Sequence, residues 1–473
     1  MPVEATPDSN GILNMAVQHH QAGRLDQADA LYRLLLDVEP DFPDALHLSG
    51  LLCLARNQPG EAVELIGRAI SGKPDNANFR SDLGHAHTAL GDKETARDSF
   101  RHALELQPDA PAAHLNLGWA LFVSANNSDA RMHFETAVKL APDMSEAHSK
   151  LALSYLASGE LEEAYAYFKR AARLAVRPQQ ISARFKLSHD IDQMRHLSAR
   201  GMVGNDVQQI IGRFESVRDN LPRNMPHDAL FTLNKAQHKI LNPSYDGVYY
   251  VPACQMLEHT ALGKGVQQSQ MEKSYFASQP NLAVVDNLLS EDALLRLRAF
   301  CREATIWKDV KPGHLGSHLH DGFCAPLLLQ IAHELRQALP AILSDHPLID
   351  MWSYKCDPES GGRGIHADRA AVNVNFWISP DEANRRPESG GLEVFKAEAP
   401  LSWDSRHDDN QQDAIDRCLD EQGRDSITIP HRSNRAVIFN SSLFHKTDDC
   451  HFRGGCINRR TNITMLFGQR HNR

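Results

Sequence analysis

Residues 364–379 read GIHADRAAVNVNFWIS, and His366 and Asp368 stand two apart just before an alternating segment. Val372, Val374, Phe376 and Ile378 occupy one parity; Asn373, Asn375 and Trp377 occupy the other. A period of two predicts a strand. Two asparagines on one strand face need partners if that face is buried. The face therefore borders solvent or a polar cavity. His366 and Asp368, at the strand edge, can point the same way.

Further along, RAVIFNSSLFHKT (435–447) is an apolar strand, a turn and then His445. Two histidines and one carboxylate make a facial triad suited to Fe(II), with open positions for a chelating 2-oxo acid and for O2. The second carboxylate of that acid needs a cation. In NRRTNITMLFG (458–468), strand register puts Arg460, Asn462, Thr464 and Leu466 on one face and Arg459 on the other. Arg460 is thus the candidate for a bidentate clamp. Asn373 and Asn375 would line the same cavity, with the apolar parity facing helices outside. Arg453, Arg459 and Arg470 are expected in solvent, and Trp352, Trp377 and Trp403 in packing.

Around these motifs, short apolar runs from residue 348 onward alternate with glycine, proline and polar turns. They predict an antiparallel barrel or jelly roll. Two amphipathic helices precede them, SEDALLRLRAFCREA (290–304) and FCAPLLLQIAHELRQALPAIL (323–343). HAD, SGGLEVF, RAVIFNSSLFH and RRTNITMLF follow in order, and over 281–470 the chain resembles the Fe(II)/2-oxoglutarate dioxygenases of the prolyl 4-hydroxylase-like branch. The resemblance implies a double-stranded β-helix that hydroxylates a C–H bond while 2-oxoglutarate loses CO2. It implies Fe(II), with 2-oxoglutarate and O2 as cosubstrates. His366, Asp368 and His445 match its metal ligands, and Arg460 its cosubstrate arginine. Tyr354 in WSYKC resembles the tyrosine that bonds the same carboxylate. Two departures stand out: DDCHFRGGCIN lengthens the path from His445 to Arg460, and Tyr354 lies 12 residues before His366, slightly more than usual; 396–426 is a further long insertion.

The first part of the chain is written in a longer period. Pro40, Pro74, Pro108 and Pro142 are 34 apart. Ala28, Ala62, Ala96, Ala130 and Ala164 keep the step, as do Tyr32, Ile66, Phe100, Phe134 and Phe168. So do Ala16, Gly50, Gly84, Gly118 and Ala152. A small residue lets two helices approach, a large one fills the groove, and proline follows the helix end. Residues 9–178 resemble about five tetratricopeptide repeats, whose concave face suits a protein or peptide. In the fourth repeat, SANNSD stands where a glycine turn is usual. Residues 179–280 read as a helical bridge and connector, with His189, Asp190 and Asp192 on a solvated helix face, and 281–473 as the oxygenase domain.

The fold class is therefore multidomain: an α-solenoid followed by a double-stranded β-helix with flanking helices. A formal charge of −10 argues against nucleic acid as a partner. No apolar run is long enough to span a membrane, and no leader pattern stands at the N-terminus, so a cytoplasmic location is expected. Eight cysteines without a CxxC pair suit reduced thiols. Cys450, His451 and Cys456 lack the matching half of a zinc site. Three functions compete. A protein or peptide hydroxylase with substrate docked by the repeats comes first. A small-molecule oxygenase with repeats for assembly or self-association comes next, then an inactive repeat adaptor.

Overall fold

The computed structural model describes residues 9–175, 180–242, 245, 247–357, 364–400 and 412–470. Trp403 and part of the 396–426 insertion lie outside these. The chain divides into two compact units, one running to Pro142 and one spanning Asp143–Ala399 and Ser405–Arg470.

The first unit holds four helix pairs. They are α1 (Ser9–Gln21) with α2 (Leu25–Val38), and α3 (Pro43–Ala55) with α4 (Pro59–Gly72). Next come α5 (Ala77–Leu90) with α6 (Lys93–Leu106), and α7 (Pro111–Val123) with α8 (Asn127–Leu140). The 34-residue columns are physical contacts. A Cβ added at Gly84 would meet the Phe100 ring at 2.5 Å, and one at Gly118 the Phe134 ring at 2.7 Å. Each recurrent proline sits two residues beyond a helix end, after Val38, Gly72, Leu106 and Leu140 in turn. The turn column is left-handed throughout: Gly23, Asn57, Gly91, Ala125 and Gly159 have φ of 71, 60, 79, 62 and 81°. In SANNSD the alanine takes the conformation that glycine takes in three other repeats.

The second unit begins with the fifth helix pair, α9 (Ser145–Ala157) and α10 (Leu161–Leu174). The compact division therefore falls one helix pair before residue 178. A short hairpin, β1 (Ile181–Ala183) with β2 (Leu230–Thr232), brackets α11 (Arg184–Ala199) and α12 (Val207–Asp219). Two more helices follow, α13 (Lys235–Leu241) and α14 (Gln268–Ala277). Beyond them lie β3 (Leu282–Asp286), α15 (Glu291–Glu303), β4 (Asp309–Lys311), β5 (His314–His318) and a 3-10 turn at Leu319–Asp321. Then come α16 (Pro326–Ala338), α17 (Pro340–Leu343), β6 (Leu348–Cys356) and β7 (Ala370–Trp377). The chain continues through β8 (Leu392–Glu398), α18 (Gln412–Gln422), β9 (Ser426–Ile429) and β10 (Arg435–Asn440). It ends with β11 (Leu443–Thr447) and β12 (Thr461–Gln469).

The larger sheet is antiparallel with order β3-β10-β7-β12-β6-β5-β4, and a smaller one runs β11-β8-β9. Trp377, Val437 and Phe439 of the first pack with Leu392, Val394, Ile429 and Leu443 of the second in one buried cluster. Burial of such apolar surface, at about 25 cal/mol per Å², holds the two sheets together. Both parities of β7 are buried, so its asparagines are not a solvent face.

The bridge departs from expectation. His189 is fully buried, its Nε2 3.1 Å from Lys355 Nζ and its Nδ1 3.0 Å from Asp190 Oδ1. Lys186 bonds the other Asp190 oxygen. Through His189 these polar residues of α11 meet Lys355 on β6, a pairing that helical periodicity alone does not reveal.

Candidate metal centre

The segment before β7 is tied to β11 by a reciprocal backbone pair. His366 N–H donates to the His445 carbonyl at 3.0 Å, and His445 N–H to the His366 carbonyl at 2.8 Å. This bridge sets the imidazoles side by side, ring centroids 4.3 Å apart. One ligand atom each from His366, Asp368 and His445 lies within 4.8 Å of the other two, all three residues buried. Among the described residues this is the one such group of His, Cys, Asp or Glu.

The surrounding bonds set the donor states. His366 Nδ1 is 2.9 Å from the Gly364 carbonyl, and His445 Nδ1 is 3.0 Å from the Leu443 carbonyl. A carbonyl only accepts, so each Nδ1 carries the proton and each Nε2 keeps a lone pair for a metal. Asp368 Oδ2 accepts from Asn373 Nδ2 at 2.7 Å and lies 3.4 Å from His445 Nε2. Asn373 thus orients the carboxylate.

A cavity at the triad is lined by β6, β7 and β12 among other elements. Register explains its wall: Asn375 stands opposite Thr464, Thr464 opposite Trp352, and Asn462 opposite Tyr354. Asn375 Nδ2 donates to Thr464 Oγ1 at 2.9 Å, and Asn462 Nδ2 to the same oxygen at 3.3 Å. Asn375 Oδ1 is buried in this wall without a hydrogen-bond partner in the protein; Asn373 Oδ1 is likewise buried and unbonded, but Asn373, expected to line the cavity, stands behind Asp368 and is not part of the lining. Buried polar atoms of this kind are costly unless something bonds them. Together with two imidazole nitrogens and a carboxylate, the Asn375 oxygen fits a divalent metal and a polar ligand.

Arg460 shares a face with Asn462 and Thr464 but does not line this cavity. Its Nε donates to the Gly390 carbonyl at 2.5 Å and its Nη2 to the Gly391 carbonyl at 3.0 Å. Its Nη1 reaches Asn462 Oδ1 at 3.1 Å and Cys356 Sγ at 3.5 Å. The glycine carbonyls hold the guanidinium one layer back from the cavity, with Asn462 between, so the direct clamp expected of Arg460 is not seen in this geometry. A hydrogen bond from Cys450, with Arg460 and His314 nearby, holds the Cys356 thiol well below its usual range. Burial depresses His314, but the adjoining Cys356 charge together with hydrogen bonds to Cys356 and to the Pro312 carbonyl outweighs it and raises that imidazole.

Tyr354 lines the cavity, and its hydroxyl donates to Asp309 Oδ2 at 3.3 Å. Trp352, expected only in packing, lines it too. His314 and Thr447 are further lining residues that sequence reasoning missed. Thr447 carried a usable signal, standing two residues after His445 on the same strand; His314 carried none. Arg459, expected in solvent, is buried on the opposite face, 3.8 Å from Asp357 Oδ1.

Tetratricopeptide-repeat profiles match residues 53–114, and residues 13–77 and 123–176. The N-terminal repeats are tetratricopeptide repeats. A stretch of 86 residues is 36% identical to human protein O-mannosyl-transferase TMTC3, covering 18% of this chain and 9% of that protein. Another of 81 residues is 40% identical to the TPR repeat-containing protein PA4299 of Pseudomonas aeruginosa, covering 17% and 33% respectively. The chain thus spans a third or less of either relative. Among solved structures, TTC0263, a TPR protein of Thermus thermophilus, is 26% identical, with a TM-score of 0.32. That match covers 35% of this chain and 91% of the other. Among the described residues, no helix is long and apolar enough to cross a membrane.

Proposed function

We propose that the second unit is an Fe(II)- and 2-oxoglutarate-dependent hydroxylase of jelly-roll type, acting on a protein or peptide side chain. The observation that carries this is the convergence of His366, Asp368 and His445, with both histidine Nδ1 atoms spent on backbone carbonyls. Bound Fe(II) would supply O2 chemistry coupled to decarboxylation of 2-oxoglutarate. The chain's own residues hold and orient. His366 and His445 present Nε2, and Asn373 steadies Asp368. Asn375, Asn462 and Thr464 offer a polar wall to the cosubstrate, and Arg460 adds positive charge from behind Asn462. Tetratricopeptide repeats support a protein-interaction role, which favours a polypeptide substrate. The eight cysteines are free thiols, which suits a reducing cytoplasm.

The test measures Fe(II) binding by titration calorimetry and succinate release from 2-oxoglutarate. His366→Ala and His445→Ala, each shown to be folded by circular dichroism, are expected to lose metal affinity and turnover by at least about a hundredfold. Near-normal turnover in either folded variant overturns the reading.

A further inference from the structure

The insertion DDCHFRGGCIN carries Cys450, and the fold sets it against Cys356, the last residue of β6. The two cysteines share one buried cluster with Ala383 and Phe452. Backbone bonds fix each side of the pair. Cys356 N–H donates to the Arg460 carbonyl at 3.0 Å. Beside Cys450, Arg385 N–H donates to the His451 carbonyl at 2.7 Å, and Arg453 N–H to the Ala383 carbonyl at 2.9 Å. The thiols meet, and that of Cys450 donates a hydrogen bond to the Cys356 sulfur.

Two further groups use the Cys356 sulfur as an acceptor. Arg460 Nη1 lies 3.5 Å from it while reaching Asn462 Oδ1 at 3.1 Å. His314 bonds it too, with Nδ1 held by the Pro312 carbonyl at 2.9 Å. His314 also lines the candidate metal cavity, so a small solute there is one imidazole away from the sulfur. Three donors around one sulfur favour the thiolate, the nucleophilic form of cysteine. The other thiols lack this setting: burial pushes Cys254, Cys301 and Cys324 up to about 12, and raises Cys418 and Cys456.

Access selects the oxidant. Cys356 and Cys450 are 1% and 2% exposed. That burial excludes a bulky disulfide and leaves hydrogen peroxide as an oxidant of fitting size.

We propose that Cys356 and Cys450 are a reversible redox pair, closed to a disulfide by hydrogen peroxide and reopened by a small dithiol. The Cys356 thiolate attacks one peroxide oxygen, the O–O bond breaks, and the departing hydroxide takes a proton to become water. Cys450 sulfur then attacks the sulfenic sulfur, the S–O bond breaks, and the second hydroxide leaves as water with the Cys450 proton. Two electrons pass from the sulfurs to the peroxide. Closing the disulfide takes the sulfur acceptor away from Arg460 and His314, which ties the cavity wall to redox state. The pair stands on the sulfur geometry and does not depend on the hydroxylase reading.

The test uses the full chain, reduced and then treated with an equimolar amount of hydrogen peroxide. Remaining thiols are blocked with N-ethylmaleimide in denaturant, and tryptic peptides are mapped by mass spectrometry. The expected result is loss of both thiols to a Cys356–Cys450 cross-link that dithiothreitol removes. It should form at least about tenfold faster than Cys418 oxidises, although Cys418 is less buried. Glutathione disulfide should leave both thiols free. In Cys450→Ser, oxidation should stop at a Cys356 sulfenic acid that dimedone labels; in Cys356→Ser, Cys450 should stay reduced. The wild-type map decides even where a variant misfolds. No cross-link, earlier loss of Cys418, a Cys450–Cys456 link or a glutathione adduct on Cys356 overturns the proposal.

Discussion

Arg459 and Arg460 are adjacent just before β12, yet they lie in different surroundings. Arg460 is 1% exposed and donates to two glycine carbonyls, Asn462 and Cys356. Arg459 is buried beside Asp357, which also bonds His227 Nδ1 at 2.7 Å. Under the proposed function, Arg460→Ala should raise the 2-oxoglutarate concentration needed for turnover by about threefold to tenfold, because it removes the positive charge behind Asn462 and the bond that orients that amide, roughly 0.5–1.5 kcal/mol. Arg460→Lys should fall between, keeping the charge without the fork. Arg459→Ala should leave that requirement unchanged and lower the melting temperature, because it strips a buried carboxylate of a cation. Titrating 2-oxoglutarate against the variants decides. A larger defect in Arg459→Ala would reverse the assigned faces. The parity of these residues was legible in the sequence. The length of reach was not, since it depends on carbonyls seventy residues away in chain order.

Within an element, local rules and packing usually agree, and the turn column shows where they do not. Ala125 holds φ of 62°, a left-handed conformation costing an L-residue with a Cβ roughly 1–2 kcal/mol. Gly23, Gly91 and Gly159 occupy the equivalent turns without that cost. Ala125→Gly should therefore stabilise the first unit by about 0.5–1 kcal/mol, the gain reduced by glycine's greater unfolded entropy. Urea unfolding followed by circular dichroism measures it; a loss of stability would show that the alanine methyl contributes packing that outweighs the strain. The same comparison explains why the repeat was readable despite SANNSD. Helix contacts such as Gly84 on Phe100 recur at 34 residues, and the turn adapts to them.

Across the second unit, buried charges join α11 to the sheet. Lys355 is 2% exposed, 3.1 Å from His189 Nε2 and 4.0 Å from the Trp307 ring centroid. Burial is the main cause that pulls it down to about 7, with Arg459 adding to it and Cys301 and Asp190 opposing. In the unfolded chain a lysine titrates at about 10.4. Between about pH 7 and 10 the unfolded state therefore binds a proton that the folded state lacks, and stability rises with pH. The slope is at most about 1.4 kcal/mol per pH unit. Lys355→Met should flatten it, as read from urea midpoints at about pH 7 and 9, inside that window. An unchanged slope would place the titration on another group.

The 34-residue columns and the alternation in 364–379 were determined by sequence alone, because both report local periodicity that any helix pair or strand must obey. Each residue of the triad could likewise be nominated from its place beside an apolar strand. Tertiary structure decided the rest. It brought His445 against His366 through a two-bond bridge between distant segments. It placed Trp352, Thr447 and His314 around the cavity, buried His189 and Arg459, and held Arg460 behind Asn462. The physical reason is common to all of these. Burial and partnership of a polar side chain depend on which strand lies opposite it, and that neighbour is chosen by the folding of the whole sheet rather than by adjacent residues.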